Sequence, residues 1–281
     1  MTDEPRDWRA YPAGVPLAVL VERGDGALAR GDGVAAGNWY MHAKRRGAPG
    51  MREKLVGLAS RLDELLKRGD AEAKALLGGV LLDTGSDPAR AARLFGEAAE
   101  AGVVEGKRGI GFMLNSGVAV HRDPVKANQL FLEAANGGDG YAAYNLAVNY
   151  YNGHGVGRNA REFMRWLRCA SERGIPEACA LLGDKLSAQG HDEEALSWYV
   201  PAAESGHAPA MYVAGCWYRD GTGVDADPVP AVRWFLTMLD RGNADGIHEA
   251  IQLARGMTEA QVREAGRLAR READAVLLMR R

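Results

Sequence analysis

The sequence predicts an all-α protein, a right-handed solenoid of short helical hairpins with helical caps. The first observation is a glycine that ends a helical stretch at intervals of about 32–36 residues, the spacing of helical-hairpin repeats. The second is a pair of bulky side chains eight residues before most of these glycines, and the third is a column of small residues after them. The glycines are Gly69, Gly102, Gly138, Gly174, Gly206 and Gly242.

The second helix of each hairpin, helix B, is marked by the bulky pairs. Four residues after each bulky pair stands a mostly small pair, such as Ala98-Ala99 after Leu94-Phe95. Residues four apart lie on one helix face, so this face can seat large side chains against a neighbouring helix. We expect the rings of Trp166, Trp198 and Trp234 to be buried there. The pairs are Leu94-Phe95, Leu130-Phe131, Trp166-Leu167, Trp198-Tyr199 and Trp234-Phe235.

The first helix of each hairpin, helix A, carries glycine or alanine at one repeated position. Glycine in a helix interior costs about 1 kcal/mol relative to alanine. Its recurrence therefore indicates that helix B approaches too closely for a side chain. The column is Gly78, Gly111, Ala147, Gly183 and Gly215.

The connections between helices A and B also repeat. Gly153-His154-Gly155-Val156 and Gly221-Thr222-Gly223-Val224 share one pattern, and Gly117-Val118-Ala119-Val120 is a looser version. An aspartate followed by proline then predicts the N-terminus of helix B, since the carboxylate caps the helix and proline suits its first position. These dipeptides are Asp87-Pro88, Asp123-Pro124 and Asp227-Pro228.

These motifs resemble the Sel1-like repeat family, which is related to the tetratricopeptide repeats. The resemblance implies five repeats, at 70–102, 103–138, 139–174, 175–206 and 207–242. The units at 70–102 and 175–206 lack the Gly-x-Gly-Val connection and are closer to plain tetratricopeptide hairpins. The bias toward alanine, glycine and arginine suggests a GC-rich bacterial genome.

The two ends depart from the repeat. We expect residues 1–69 to form an irregular helical cap with a disordered acidic tip and a loop from Gly24 to Gly33. Residues 243–281 should form C-terminal capping helices. There, Asn243 to Arg255 resembles a last helix A, and Thr258-Glu-Ala-Gln261 is a capping box that opens a final helix to about Met279.

Charge, the N-terminal sequence and the cysteines indicate which partners and which compartment to expect. The chain has 281 residues and a formal net charge of −2, so no overall field favours nucleic acid or an anionic membrane. The N-terminus lacks the basic start and apolar run of a signal peptide. Cys169, Cys179 and Cys216 follow no paired spacing, which fits free thiols in a reducing compartment. We therefore expect a cytoplasmic protein, and its oligomeric state is left open.

Motifs for catalysis or metal binding do not emerge from the sequence. No two histidines have the i, i+4 spacing that directs two imidazoles at one metal, and no phosphate-binding or nucleophile-elbow motif occurs. We therefore predict no enzyme activity, no metal and no cofactor. The basic cluster Lys44-Arg45-Arg46, followed by Arg52 and Lys54, could meet phosphate or an acidic peptide, or could simply be solvated.

The resemblance to tetratricopeptide-like hairpins implies a function. In such hairpins helix A lines a concave groove, so we expect a non-catalytic scaffold or adaptor that binds a peptide or a partner's helix there. The alternatives are a regulatory or substrate-binding subunit of an enzyme encoded elsewhere, or a nucleic-acid binder using the basic N-terminal cap. The resemblance places these residues in the groove: Arg108, Phe112, Tyr144, Tyr151, Asn152, Tyr212, Cys216, Arg219 and His248.

Overall fold

The structure, a computed structural model, describes residues 15–241 and 244–279. Over these residues the protein is all-α, with α-helices joined by short turns and no strand. The predicted fold class of consecutive helical hairpins is therefore confirmed. The chain divides into two compact units, Met1–Ile175 and Pro176–Arg281. Gly242 and the expected acidic tip lie outside the described residues.

The first unit contains nine helices in its described part. Three precede the repeats and the other six form three hairpins, in each of which helix A packs against the helix B that follows it. The helices are α1 (Leu17–Ala29), α2 (Gly33–Arg45), α3 (Met51–Lys67), α4 (Ala71–Thr84), α5 (Pro88–Glu100), α6 (Val104–Ser116), α7 (Pro124–Asn136), α8 (Gly140–Asn152) and α9 (Ala160–Glu172).

In its described part the second unit contains two hairpins followed by three helices. A short 3-10 helix, Met238–Arg241, continues α13. The helices are α10 (Pro176–Ser187), α11 (Asp192–Glu204), α12 (Ala208–Asp220), α13 (Pro228–Thr237), α14 (Asp245–Ala254), α15 (Glu259–Ala269) and α16 (Glu272–Leu278).

The glycine column of helix A faces an aromatic ring of helix B, as the sequence predicts. A Cβ placed on Gly111 would lie 3.0 Å from the Phe131 ring, and one on Gly183 would lie 2.9 Å from the Tyr199 ring. The same relationship joins Gly78 to Phe95 and Gly215 to Phe235. In each case the ring belongs to the second member of the bulky pair, so glycine lets the two helices of a hairpin approach closely.

The expected burial of the three tryptophans is only partly correct. Trp166 and Trp234 are buried, with 5% and 2% of their surface exposed, but Trp198 is only half-buried. In that pair Tyr199 takes the buried position against Gly183 and donates a hydrogen bond to Oδ1 of Asp184 at 2.6 Å. Within the second unit, α13, which carries Trp234, packs against the three helices α12, α14 and α15. Helix α11, which carries Trp198, packs mainly against α10 and α12 among the described helices, so fewer neighbours cover it.

The Gly-x-Gly-Val connection packs closely against the backbone of the preceding repeat. Gly155 and Gly223 both adopt a φ of +68°, and a Cβ on either would overlap backbone atoms at the start of the preceding helix B. Those atoms belong to Pro124 and Asp192 respectively. Ala119 occupies the same place in the looser loop and has a φ of 57°, an unfavourable conformation for a residue with a side chain.

The aspartate caps predicted for helix B are present. Oδ1 of Asp87 accepts a hydrogen bond from the backbone N–H of Arg90 at 2.9 Å. Asp123 and Asp227 make equivalent caps at 3.0 and 2.9 Å. These bonds satisfy backbone donors that a helix leaves unpaired in its first turn.

The predicted loop from Gly24 to Gly33 is wrong. Helix α1 continues through this stretch to Ala29, and α2 begins at Gly33. The reason lies in packing, because a Cβ on Gly24 would overlap the ring of Tyr40 on α2. Gly24 therefore permits a close helix pair here, as the column glycines do in the repeats.

The C-terminal prediction is correct at its start and wrong at its end. Thr258 and Gln261 form the predicted capping box, with the Thr258 backbone N–H donating to Gln261 Oε1 at 2.9 Å. The helix does not continue to Met279, because Arg270 adopts a φ of 57° and ends α15. Helix α16 then turns back so that Ala275 meets Gly266.

Candidate functional site

A cavity of about 620 Å³ lies in the first unit, on the side formed by successive A helices. It is lined by one face of α2, by α4, by the segments that lead into α6 and α8, and by the segment that follows α9. Three arginines and three carboxylates border it. They are Arg45, Arg108, Arg173, Glu72, Glu105 and Asp139.

Helix α2 contributes a continuous stripe to this cavity. Asp32 starts the helix by accepting a hydrogen bond from the Ala35 backbone N–H at 2.9 Å. The lining residues then follow the i, i+3, i+4, i+7 spacing that places side chains on one face. They are Asn38, Met41, His42 and Arg45.

Arg108 is fixed at the cavity by Asp139. Its Nε donates to Oδ2 of Asp139 at 2.7 Å, while Oδ1 accepts from the Ala142 backbone N–H at 2.8 Å and caps α8. Burial by itself would lower the pKa of Arg108, but the negative charges of Asp139 and Glu105 outweigh burial and raise it. Arg108 therefore stays charged, and both Asp139 oxygens are already engaged.

Tyr141 lies between two arginines from different helices. The guanidinium carbon of Arg45 is 4.6 Å from the centre of its ring, and that of Arg108 is 5.6 Å away. Both distances are within the range of a cation–π interaction. These contacts link α2, α6 and α8 across the cavity.

Most of the basic cluster is engaged within the protein. Lys44 pairs with Asp83, and Lys54 pairs with Asp25. Arg46 is buried and donates to the Val15 carbonyl oxygen. Arg52 lies 3.4 Å from the carbonyl oxygen of Thr84. Of this cluster, Arg45 is the member that lines the cavity.

The predicted groove residues of the first unit do not all lie at the cavity. Arg108 lines the cavity, whereas the other four lie outside its lining. Phe112 is 45% exposed and Tyr144 is half-buried. Tyr151 is 57% exposed, and its ring centre lies 5.2 Å from that of Phe163. Asn152, also exposed, accepts a hydrogen bond from Arg158 Nε on its carbonyl oxygen at 3.2 Å.

Three of the predicted residues of the second unit are neighbours. Tyr212 and Cys216 lie close enough to influence each other's pKa, and Arg219 pairs with Asp220 at 2.7 Å and also with Glu249. Burial raises the pKa of the Cys216 thiol, so this thiol is not activated as a nucleophile. The Tyr212 ring also packs 5.9 Å from the Phe235 ring, centre to centre.

His248 is the remaining predicted residue of the second unit. It lies exposed on α14, the same helix that carries Glu249. Of the expected groove residues, Arg108 therefore lines the first unit's cavity, and Tyr212, Cys216 and Arg219 are neighbours in the second unit.

Sequence reasoning missed Tyr141 and Glu105 at the cavity. Each precedes a predicted groove residue, Tyr144 or Arg108, by three positions. Extending the helical stripe by one turn would have found both, because residues three apart share a helix face. No local signal marks Arg45 as their neighbour, since it comes from α2.

Within the described ranges, no group of three histidine, cysteine or acidic side chains is placed to hold a metal ion. The helices seen in those ranges are too short or too polar to cross a lipid bilayer.

Comparison with known families identifies the repeat. Five consecutive stretches, together more than half of the chain, match the model of the Sel1 repeat: residues 71–103, 105–139, 140–175, 176–207 and 208–243. The chain belongs to the Sel1 repeat family. Sel1 repeats generally mediate protein–protein interactions, and scaffolds built from them are generally non-catalytic.

Solved Sel1 structures resemble this chain. A Sel1 repeat protein from Oxalobacter formigenes is 26% identical, with a TM-score of 0.54, and the match covers 72% of this chain and 85% of that one. The protein c5321, a protective antigen of uropathogenic Escherichia coli with an SLR fold, is 23% identical. Its TM-score is 0.46, over 92% of this chain and 69% of that one.

A curated relative is also found in a fungus. The chitin synthase regulator SKT5 of Malassezia restricta is 31% identical over 122 residues, or 41% of this chain. The matched region spans only 8% of that relative's length.

Proposed function

We propose that this protein is a non-catalytic adaptor that holds a segment of a partner polypeptide against the A helices of its first unit. The general role of Sel1 repeats in protein–protein interaction supports this proposal. The observation that carries it is the cavity of about 620 Å³ between α2, α4, α6 and α8. Pockets of about 300–1,000 Å³ enclose most of a small ligand, so this one has room for a few residues of a partner.

The side chains around the cavity are of the kind that anchors interfaces. Arginine and tyrosine are enriched among residues that dominate binding energy, and Arg45, Arg108 and Tyr141 are grouped here. Phe112 and Tyr144 continue the same helix faces beyond the cavity and would extend the contact. In the second unit Tyr212, Cys216 and Arg219 would provide a separate contact surface.

The basic N-terminal segment gives less support to nucleic-acid binding than its sequence suggests. Lys44 and Lys54 are paired with carboxylates, and Arg46 is buried. Binding to phosphates requires accessible basic side chains. The adaptor proposal also includes the case in which the bound partner is an enzyme. The protein would then act as a regulatory or substrate-binding subunit of that enzyme.

The cysteines support the proposed compartment. Within the described residues Cys169, Cys179 and Cys216 form no disulfide, and reduced thiols are typical of a reducing compartment such as the cytoplasm. We therefore propose a cytoplasmic adaptor.

Partner capture by groove variants tests the adaptor function. The immobilised protein and its Tyr144→Glu and Tyr212→Glu variants would be used to capture binding proteins, whose retained amounts are then measured. Loss of an interface anchor should weaken capture by about 2 kcal/mol, or about thirtyfold. Because Tyr212 also packs near Phe235, urea unfolding of each variant must show that the fold is retained.

Matched charge changes on helix B provide the control. Arg93 and Gln129 are exposed on α5 and α7 and do not line the cavity. Arg93→Glu and Gln129→Glu should leave capture unchanged. If these controls abolish capture while the tyrosine variants retain it, the partner binds elsewhere and the proposal is wrong.

A further inference from the structure

The arginines of the first unit's cavity have hydrogen-bond donors that the protein leaves unused. A guanidinium has five N–H donors in a fixed planar arrangement. Arg173 donates from Nη1 to the Ala135 carbonyl oxygen at 2.9 Å. Arg108 donates from Nε to Asp139, and its terminal nitrogens donate to no other described residue. The cavity therefore contains charged donors that a ligand could use.

Arg45 has the most available guanidinium. It is exposed, and its contact among the described residues is with the face of the Tyr141 ring. A ring face offers no lone pair, whereas a carboxylate accepts two parallel N–H donors from a guanidinium. A ligand carboxylate can therefore replace this contact with a stronger one.

The acceptors of the lining are more fully used than its donors. Both oxygens of Asp139 are hydrogen-bonded, one to Arg108 and the other to the start of α8. Glu105 lies close enough to Arg108 to raise its pKa. Glu72 is the third acid of the lining.

Formal charge alone does not decide which ligand is preferred, because the lining carries three acids and three arginines. Helix dipoles do not decide it either, since the starts of α4, α6 and α8 and the ends of α5, α7 and α9 all border the lining. The partial positive charge of about half a unit at each N-terminus is offset by a similar negative charge at each C-terminus. The preference for an acidic ligand therefore rests on the arginine donors that the protein leaves unused.

We propose that this cavity recognises an acidic side chain, aspartate or glutamate, within the partner segment, and that Arg45 and Arg173 bind its carboxylate. This inference rests on the adaptor function proposed above and specifies the chemistry of its ligand. Arg108 is held by Asp139 and contributes its remaining donors. Tyr141 is the group that the carboxylate displaces from Arg45.

Two defined peptides test this inference with the full chain. The probes are C-terminally amidated heptapeptides labelled with an uncharged boron-dipyrromethene dye, Ser-Gly-Leu-Glu-Leu-Gly-Ser and its analogue with glutamine at the centre. We expect fluorescence anisotropy to show at least tenfold tighter binding of the glutamate peptide. Arg45→Gln should remove that preference. Arg93→Gln, on the exposed face of α5, should keep it and serves as the control.

A third probe distinguishes the source of the carboxylate. The glutamine peptide with a free C-terminal carboxylate should bind no better than its amide. If the peptide with the free terminus is the only one of the three that binds, the cavity recognises a C-terminal carboxylate and the inference is wrong. Equal affinities of the glutamate and glutamine amides also overturn the inference. So does the absence of binding by either peptide at millimolar concentration.

The test separates this inference from the adaptor function on which it rests. Loss of capture by Tyr144→Glu together with no preference for glutamate would leave the adaptor function in place and reject the acidic ligand. Unchanged capture by the groove variants would reject the adaptor function itself.

Discussion

Nδ2 of Asn149 donates a hydrogen bond to Oδ1 of Asn128 at 2.7 Å, and both side chains are buried. Asn128 in turn donates from Nδ2 to the His154 carbonyl oxygen at 2.7 Å. Asn149 also lies 3.2 Å from Oδ1 of Asn115. The network ties α6, α7, α8 and the following glycine loop together, so these two repeats are joined by polar contacts as well as apolar packing.

Asn149→Ala should destabilise the protein by about 1–3 kcal/mol, because it leaves a buried Asn128 acceptor without this donor. Urea unfolding followed by circular dichroism measures the loss. Asn136→Ala, on the exposed end of α7, is the matched control and should change the free energy of unfolding by less than about 0.5 kcal/mol. Equal effects of the two variants would show that the buried network contributes little.

The aromatic pairs of helix B should differ in their energetic importance. Trp234→Ala removes a ring that is 2% exposed and should cost about 3–5 kcal/mol. Trp198→Ala should cost less, since that ring is only half-buried, whereas Tyr199→Ala should have the larger effect within this pair. Thermal and urea unfolding of the three variants tests this ranking, and a Trp198→Ala cost above that of Tyr199→Ala would contradict it.

Ala119→Gly should stabilise the protein by about 0.5–1 kcal/mol. The φ of 57° at Ala119 is strained for alanine, and the relief exceeds the extra unfolded-state entropy of glycine. Gly155→Ala provides the opposite test. It should cost about 2 kcal/mol or more, because the new Cβ adds that strain and overlaps the backbone of Pro124. Chemical unfolding of both variants should therefore give shifts of opposite sign.

His207 should make the stability of the protein depend on pH below neutrality. Its Nδ1 caps α12 by accepting from the Ala210 backbone N–H at 3.2 Å, which requires an unprotonated nitrogen. Burial lowers the pKa of His207 from 6.5, and the charges of Glu177 and Asp184 offset part of that shift. The unfolded chain therefore binds the proton more readily. The free energy of unfolding should therefore reach its full value above about pH 6.5 and decrease as the pH falls below it.

Two substitutions separate the cap from the titration. His207→Asn keeps a capping side chain without a titrating group, so the melting temperature should depend less on pH between about 7.5 and 5.5. His207→Ala loses the cap and should be less stable by about 1 kcal/mol at neutral pH. An unchanged pH dependence in His207→Asn would show that other groups cause it.

The sequence by itself determined the hairpins of this Sel1 repeat protein. The caps at Asp87 and Asp123 and the close contacts at Gly111 and Gly183 depend on residues near one another along the chain. Such contacts repeat with the helix period and leave a readable pattern. The predicted loop between Gly24 and Gly33 failed for a related reason, since the glycine signal does not reveal whether a ring such as Tyr40 lies opposite.

The tertiary structure alone decided which side chains meet at the cavity. Arg108 was predicted from its column, but its neighbours Arg45 and Tyr141 come from α2 and α8. Likewise, only the structure shows that Lys44 is paired with Asp83 and that Trp198 is half-buried. These outcomes depend on how neighbouring hairpins pack against one another, because residues far apart in the sequence meet only once those hairpins stack.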